Sequence, residues 1–226
     1  MTNATLVILR HGQTDYNVKH LMTGQRDIPL NNHGEEQARE AGVLIKDIPF
    51  DKVYSSTLSR AFNTAALALK TAGQDLPIEQ RKEIVEMDNG DFTGHSRTED
   101  PVVANWPAVY DLRWPNGESL KDVVERVKEF FDANIAPRLE RGENVLIVAH
   151  SVVLAAFEIA LGMVDAPSGD GLMTKKKIPN AAPLVCDYED GVLKSHHFIE
   201  NPATAKAANQ NTPPAKKNPR PRRPAI

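Results

Sequence analysis

With 226 residues, 41% hydrophobic and 25% charged side chains, and a formal charge of −3, the chain has the composition of an ordinary globular protein of one large or two small domains. Its longest apolar stretch, roughly ten residues at 152–161 and interrupted by Glu158, is well short of the ~20 that a membrane span needs. A single cysteine, Cys186, excludes an internal disulfide framework and any multi-cysteine metal centre, and fits a reducing, cytoplasmic setting.

The first residues lack a basic n-region and run straight into a strand-like segment, so no secretory leader is expected and the mature protein is expected to start at or near Met1. Residues 5–9, T-L-V-I-L, read as a short buried strand, 34–46 carry helical spacing (Ala38, Ala41, Leu44, Ile45), and 52–54 form another short strand. An Ala-rich helix is expected at 58–71 and an amphipathic one at 120–139. A fully buried strand is expected at 144–149, followed by a helix over 152–161. Segments 183–188 and 192–195, separated by E-D-G, read as a closing hairpin. Strands alternating with helices imply a three-layer α/β/α fold, a mostly parallel sheet with helices on both faces.

The charge is uneven. Six of the 27 basic residues lie in 201–226, which hold no acid; residues 1–200 therefore carry 21 bases against 30 acids, a charge of −9. The basic Pro-, Ala- and Lys-rich tail at 201–226 has too little apolar surface to offset its chain entropy and is expected to be disordered, which leaves residues 1–200 as the folded domain. A solvated extension is a simpler reading of that tail than contact with nucleic acid or an acidic partner. Neither nucleic acid nor a membrane is an expected partner.

In parallel sheets of this kind ligands bind beyond the carboxyl ends of the strands. Arg10, His11 and Gly12 follow the first strand, Ser55, Ser56 and then Arg60 follow the second, and His150 follows the strand ending at Ala149. Two histidines and two arginines would thus share one rim of an acidic protein, a cationic focus suited to an anion, and the planar fork of arginine matches phosphate oxygens.

The motifs are more specific. They are R-H-G-Q-T-D-Y-N at 10–17, T-G-Q-R-D-I-P-L at 23–30, Gly34, Q-A at 37–38 and Y-S-S-T-L-S-R-A at 54–61. V-E-M-D-N-G at 85–90, P-N-G-E-S-L-K-D at 115–122, the run 135–150 ending V-A-H, and I-P-N-A-A-P-L-V at 178–185 follow. Over about residues 5–198 the chain resembles the histidine phosphatase superfamily, the phosphoglycerate-mutase-like enzymes, and its later segments are most similar to the bisphosphoglycerate-dependent mutases. The resemblance implies that His11 is the nucleophile, forming a phosphohistidine that splits one difficult transfer into two easier ones. Arg10, Arg60 and His150 would clamp the phosphoryl oxygens, with Asn17 adding an amide donor.

The leaving alkoxide needs a proton, and Glu86 stands where the mutase-like branch places its acid/base; on spacing alone Asp88 and Asp91 are rivals. Thr23 and Gly24 occupy positions where mutases contact substrate. No metal is expected: His33, His95, His196 and His197 show no ligand spacing. P-loop, G-x-S-x-G and H-E-x-x-H signatures are absent, and Cys186 reads as a core residue of its strand. Trp106 and Trp114, in the Pro-containing segment 106–115, form either a substrate-facing insertion or ordinary surface packing.

Three departures from the mutases fall on substrate recognition. Where mutases carry an Arg-Arg pair after a tryptophan, this chain has Trp106, Pro107 and Ala108; Arg97 and Arg113 are nearby cations out of register with that pair. After His150 stand Ser151 and Val152 in place of Gly and Asn, and Asn89 replaces a tyrosine. Loss of the carboxylate grip favours hydrolysis of a small phosphorylated metabolite, with no cofactor. The alternatives are a mutase interconverting 3- and 2-phosphoglycerate with 2,3-bisphosphoglycerate as primer, and a non-catalytic phosphate-binding scaffold. A homo-oligomer is compatible with the closing hairpin.

Overall fold

The computed structural model describes residues 1–106, 109–166 and 178–199. In chain order the elements are β1 (Asn3–Arg10), α1 (Asp15–Val18), α2 (Asn32–Ile45), β2 (Lys52–Ser56), α3 (Ser59–Ala72), β3 (Ile78–Arg81), α4 (Pro101–Ala104), α5 (Leu120–Phe130), α6 (Ala136–Glu140), β4 (Val145–Ala149), α7 (Ser151–Ala160), β5 (Pro183–Glu189) and β6 (Val192–Phe198). The tail at 201–226 and the residues Pro107 and Ala108 lie outside the described residues.

The six strands form one sheet in the order β3-β2-β4-β1-β5-β6. β3, β2, β4 and β1 are mutually parallel, β5 runs antiparallel to β1, and β6 turns back antiparallel to β5. The sheet is thus mostly parallel, and its centre is the fully buried run of β4, whose five residues V-L-I-V-A are all inaccessible to solvent. A strand buried on both faces reads as a continuous apolar run rather than an alternation.

Side chains alternate across β1 into two cores. Leu6 and Ile8 pack with α5 and α7, among them Val123, Val127, Phe130, Leu154 and Phe157. Val7 and Leu9 pack with the Ala-rich faces of α2 and α3, through Ala41, Ile45, Ala61, Ala65 and Ala68. Each fully buried aliphatic or aromatic side chain of this kind contributes about 1.5–3 kcal/mol. Together the two cores make the three-layer α/β/α arrangement.

The helix expected over 120–139 runs unbroken over 120–140 but is not α-helical throughout. α5 begins with a capping box between Ser119 and Asp122, but Phe131–Ile135 is a π turn and only then does α6 follow. Pro137 has no N–H to donate and its ring excludes the carbonyl four residues earlier, so the helix widens ahead of it. β6 extends to Phe198, three residues beyond the sequence expectation, and β3 has no counterpart in that expectation because three of its four residues, Glu79, Gln80 and Arg81, are polar, as suits an edge strand. No described helix is long and apolar enough to cross a membrane.

Candidate active site

Parallel pairing carries the ends of β1, β2 and β4 to one rim. Arg10 is opposite Ala149 in the β1/β4 ladder, the His11 N–H donates to the Ala149 carbonyl at 2.9 Å, and Ser55 is opposite Val148. His11 and His150, 139 positions apart in sequence, therefore meet edge to face with ring centroids 5.1 Å apart.

The Nδ1 of His11 lies 2.6 Å from the Gly12 carbonyl oxygen. A carbonyl only accepts, so Nδ1 carries the ring proton and Nε2 keeps its lone pair. Burial, reinforced by the charges of Arg60 and Arg10, holds this imidazole well below the ordinary histidine range, so it is neutral near pH 7. The turn that presents it is tightly pinned: the Gly12 N–H donates to Thr64 Oγ1 at 3.0 Å and the Gln13 N–H to Gln37 Oε1 at 2.9 Å. Gly12 is needed because a Cβ there would lie 2.2 Å from the Gly34 carbonyl oxygen.

Arg60, in the first turn of α3, is completely buried and donates to the Arg26 and Gly24 carbonyls at 2.8 and 3.0 Å. Gly24 offers its carbonyl from a left-handed conformation (φ 51°) that favours glycine. Arg10 donates to the Ile178 carbonyl, and burial lowers its pKa to about 10, which leaves it charged at neutral pH. Among the described residues neither guanidinium has an ion-pair partner within 4 Å; Glu86 is the carboxylate whose field favours the charged form of both. Arg10 Nε, Arg60 Nε and His150 Nδ1 are buried and unpartnered there. Unpaired buried donors are costly, and three of them beside a neutral imidazole suit the oxygens of a phosphoryl group.

Glu86 follows a short 3-10 turn (Lys82–Ile84) and is 8% exposed. Its Oε1 accepts from the Met87 and Val152 N–H groups at 3.0 and 3.2 Å, and its Oε2 accepts from Ser151 Oγ at 3.2 Å. Ser151 and Val152, the residues that depart from the mutase pattern, thus supply donors to the carboxylate. The segment itself is held from behind: Arg126 pairs with Glu118 through Nε and Nη2 at 3.0 and 3.1 Å and donates to the Glu83 carbonyl at 2.6 Å. Asp88 and Asp91 are spent on local bonds, Asp88 to the Gly90 N–H and Asp91 to the Asn116 amide.

Asn17 closes the capping box of α1 with Thr14, its Oδ1 accepting from the Thr14 N–H and, at 3.4 Å, from Asn180 Nδ2. Asn180 also donates to the His11 carbonyl at 3.0 Å, a link that the sequence reading does not assign to it. Thr23 is buried beside Gly24. Next to Glu86 opens a cavity of about 250 Å3 walled by Met22, Met87, Trp106, Trp114, Leu120 and Val152. The two tryptophans stack at 4.3 Å and both line this cavity. Arg97 lines it as well, whereas Arg113 is paired with Asp122. Among the described residues no cluster of three or more His, Cys, Asp or Glu side chains could hold a metal ion.

Comparison with known proteins agrees with this geometry. The family model of the histidine phosphatase superfamily (branch 1) matches residues 6–198. A 2,3-bisphosphoglycerate-dependent phosphoglycerate mutase of Parvibaculum lavamentivorans is 38% identical over 209 residues, covering 88% of this chain and 98% of that protein. Among solved structures, a phosphoglycerate mutase from Bacillus anthracis superposes with a TM-score of 0.72 at 28% identity (92% and 97% of the two chains). A mycobacterial glucosyl-3-phosphoglycerate phosphatase gives 0.70 at 27% identity (86% and 96%). Phosphotransfer enzymes of both outcomes, mutase and phosphatase, share this fold, and the chain is an enzyme belonging to the histidine phosphatase superfamily, branch 1.

Proposed function

We propose that the protein hydrolyses a small phosphomonoester through a phosphohistidine at His11. The supporting observation is the set of three buried, unpartnered nitrogens, Arg10 Nε, Arg60 Nε and His150 Nδ1, gathered around an imidazole whose proton is fixed on the far nitrogen. Nε2 of His11 attacks phosphorus; the P–N bond forms as the ester P–O bond breaks. Arg10, Arg60, His150 and the Asn17 amide hold the phosphoryl oxygens while charge redistributes, from positions that need no reorganisation. Glu86 acts as the general acid, giving a proton to the departing alkoxide. In the second half, carboxylate Glu86 takes a proton from water as its oxygen bonds to phosphorus and the P–N bond breaks, returning neutral His11 and releasing inorganic phosphate. Thr23 and Gly24 border the substrate.

Hydrolysis is favoured over mutation because a mutase must retain a carboxylate-bearing bisphosphorylated intermediate, and the chain has Pro107 and Ala108 where the mutases have their arginine pair. The mutase is the second reading, supported by Arg97 in the cavity wall and by the 38% identical relative, which is a 2,3-bisphosphoglycerate-dependent phosphoglycerate mutase. In that case 2,3-bisphosphoglycerate would prime His11.

One incubation separates them. Purified protein is given 3-phosphoglycerate and a trace of 2,3-bisphosphoglycerate, and 2-phosphoglycerate and inorganic phosphate are followed in the same tube. Phosphate release without isomerisation, there or from a generic phosphomonoester, is the expected result; rapid isomerisation with little phosphate would establish the mutase. His11→Ala should abolish both the phosphoenzyme and turnover. Absence of a phosphoenzyme with every ester in the unsubstituted protein would leave a binding or scaffold role.

A further inference from the structure

We propose that the substrate is the phosphate ester of an alcohol with an aromatic body, seated in the cavity beside Glu86. The inference rests on the hydrolytic reading above and narrows it to a substrate class. The cavity adjoins the group assigned to protonate the leaving oxygen, so whatever fills it is the alcohol portion and not the phosphate. Its walls are apolar: the stacked pair Trp106 and Trp114, with Met22, Met87 and Leu120. Polar groups are few among the described lining residues, Glu86, Asn89 and Arg97.

A three-carbon hydroxy acid would lay hydrated hydroxyl and carboxylate groups against this apolar wall, losing their water for little return. An aromatic ring gains dispersion contacts and stacking from the same wall. Size agrees: aliphatic cavities of about 150 Å3 take up benzene, and this one is about 250 Å3, with room for a phenyl ring and a short tether. Methionine walls suit such a guest, since their unbranched thioethers adapt to irregular shapes and make favourable contacts with ring edges.

The test compares 2-phenylethyl phosphate with glycerol 1-phosphate. Both are esters of primary alcohols, so a difference in rate reports binding in the cavity more than leaving-group chemistry. The unsubstituted protein should show a kcat/KM roughly 30- to 100-fold higher for the phenylethyl ester, the return expected for burying a phenyl ring. Leu112→Asp supplies the second arm. Leu112 lines the cavity but is 37% exposed, so a charge there is compatible with folding. It should lower kcat/KM for the phenylethyl ester about tenfold more than for glycerol 1-phosphate, since a charge in the cavity disfavours the apolar guest most.

Phosphohistidine is assayed alongside by acid lability. Equal hydrolysis of the two esters, or a preference that survives Leu112→Asp, overturns the aromatic-alcohol proposal and leaves the hydrolytic reading standing. Failure of both esters to release phosphate or label His11 overturns the hydrolytic reading itself, and the substrate proposal with it.

Discussion

Ser56 Oγ lies 2.8 Å from His150 Nε2, and the same hydroxyl accepts the Leu58 N–H at 3.3 Å. Its own proton has no other acceptor among the described residues and goes to Nε2, which places the imidazole proton of His150 on Nδ1, the buried atom left for a phosphoryl oxygen. Ser56 is therefore a positioning residue that sets the tautomer of a donor.

Ser56→Ala should release that constraint. The lost hydrogen bond is worth on the order of 1 kcal/mol, so kcat/KM is expected to fall about fivefold to tenfold. Nitrogen-15 spectra of His150 should change from one tautomer to a mixture. A variant that loses rate with the tautomer signature unchanged would show that Ser56 acts through packing alone.

Glu86 is gripped by Ser151 Oγ and by the N–H groups of Met87 and Val152. Glu86→Gln preserves the shape but can neither give nor take the proton, and kcat should fall by roughly 10²- to 10⁴-fold with a smaller change in KM. Ser151→Ala removes one of three donors; a loss of about threefold to tenfold in kcat is expected. Pre-steady-state phosphoenzyme formation checks both, and an unchanged rate for Glu86→Gln would move the acid/base role to another group.

Both site histidines are held well below their ordinary range, first by burial and next by the charge of Arg60. Below about pH 6.5 the unfolded chain takes up protons that the folded site refuses, so stability falls as the solution is acidified. Each histidine contributes a slope of up to about 1.4 kcal/mol per pH unit until its folded value is reached. Denaturant midpoints measured from pH 7.5 to 5 in phosphate-free buffer should show this fall, and His150→Asn should flatten it. A midpoint in the unsubstituted protein that stays level across this range would contradict the assignment of neutral, buried imidazoles.

The strand ends that bear the cationic rim were legible because buried parallel strands are written as unbroken apolar runs, and Arg10, His11 and His150 stand immediately after two of them. β3 was not, since an edge strand of two charges and an amide carries no such mark, and neither was the π turn ahead of Pro137. In the sequence Ser151 stands out only as a departure from the mutase pattern beside His150. Its bond to Glu86 spans 65 positions, a distance over which no local pattern speaks. The same holds for Arg97 and Arg113: only the fold turns one toward the cavity and ties the other to Asp122.

Arg126 is a second long-range support that composition does not reveal. Its guanidinium grips Glu118 through two nitrogens, while Nη1 and Nη2 reach the carbonyls of Glu83 and Glu86, and Glu118 Oε2 accepts the Asp88 N–H at 2.9 Å. One side chain thus fixes the backbone on both sides of Glu86. The planar fork is what matters: a lysine keeps the charge but offers a single ammonium and cannot span four acceptors. Arg126→Lys is expected to lower kcat about tenfold, with KM for a small ester changed less than threefold, because the clamp of Arg10, Arg60 and His150 is built on other elements. The partly buried pair also supports the fold, and a loss of about 1–2 kcal/mol should lower Tm by roughly 2–8 °C. A variant equally active at 25 °C but less thermostable would show that Arg126 holds the fold together without positioning Glu86.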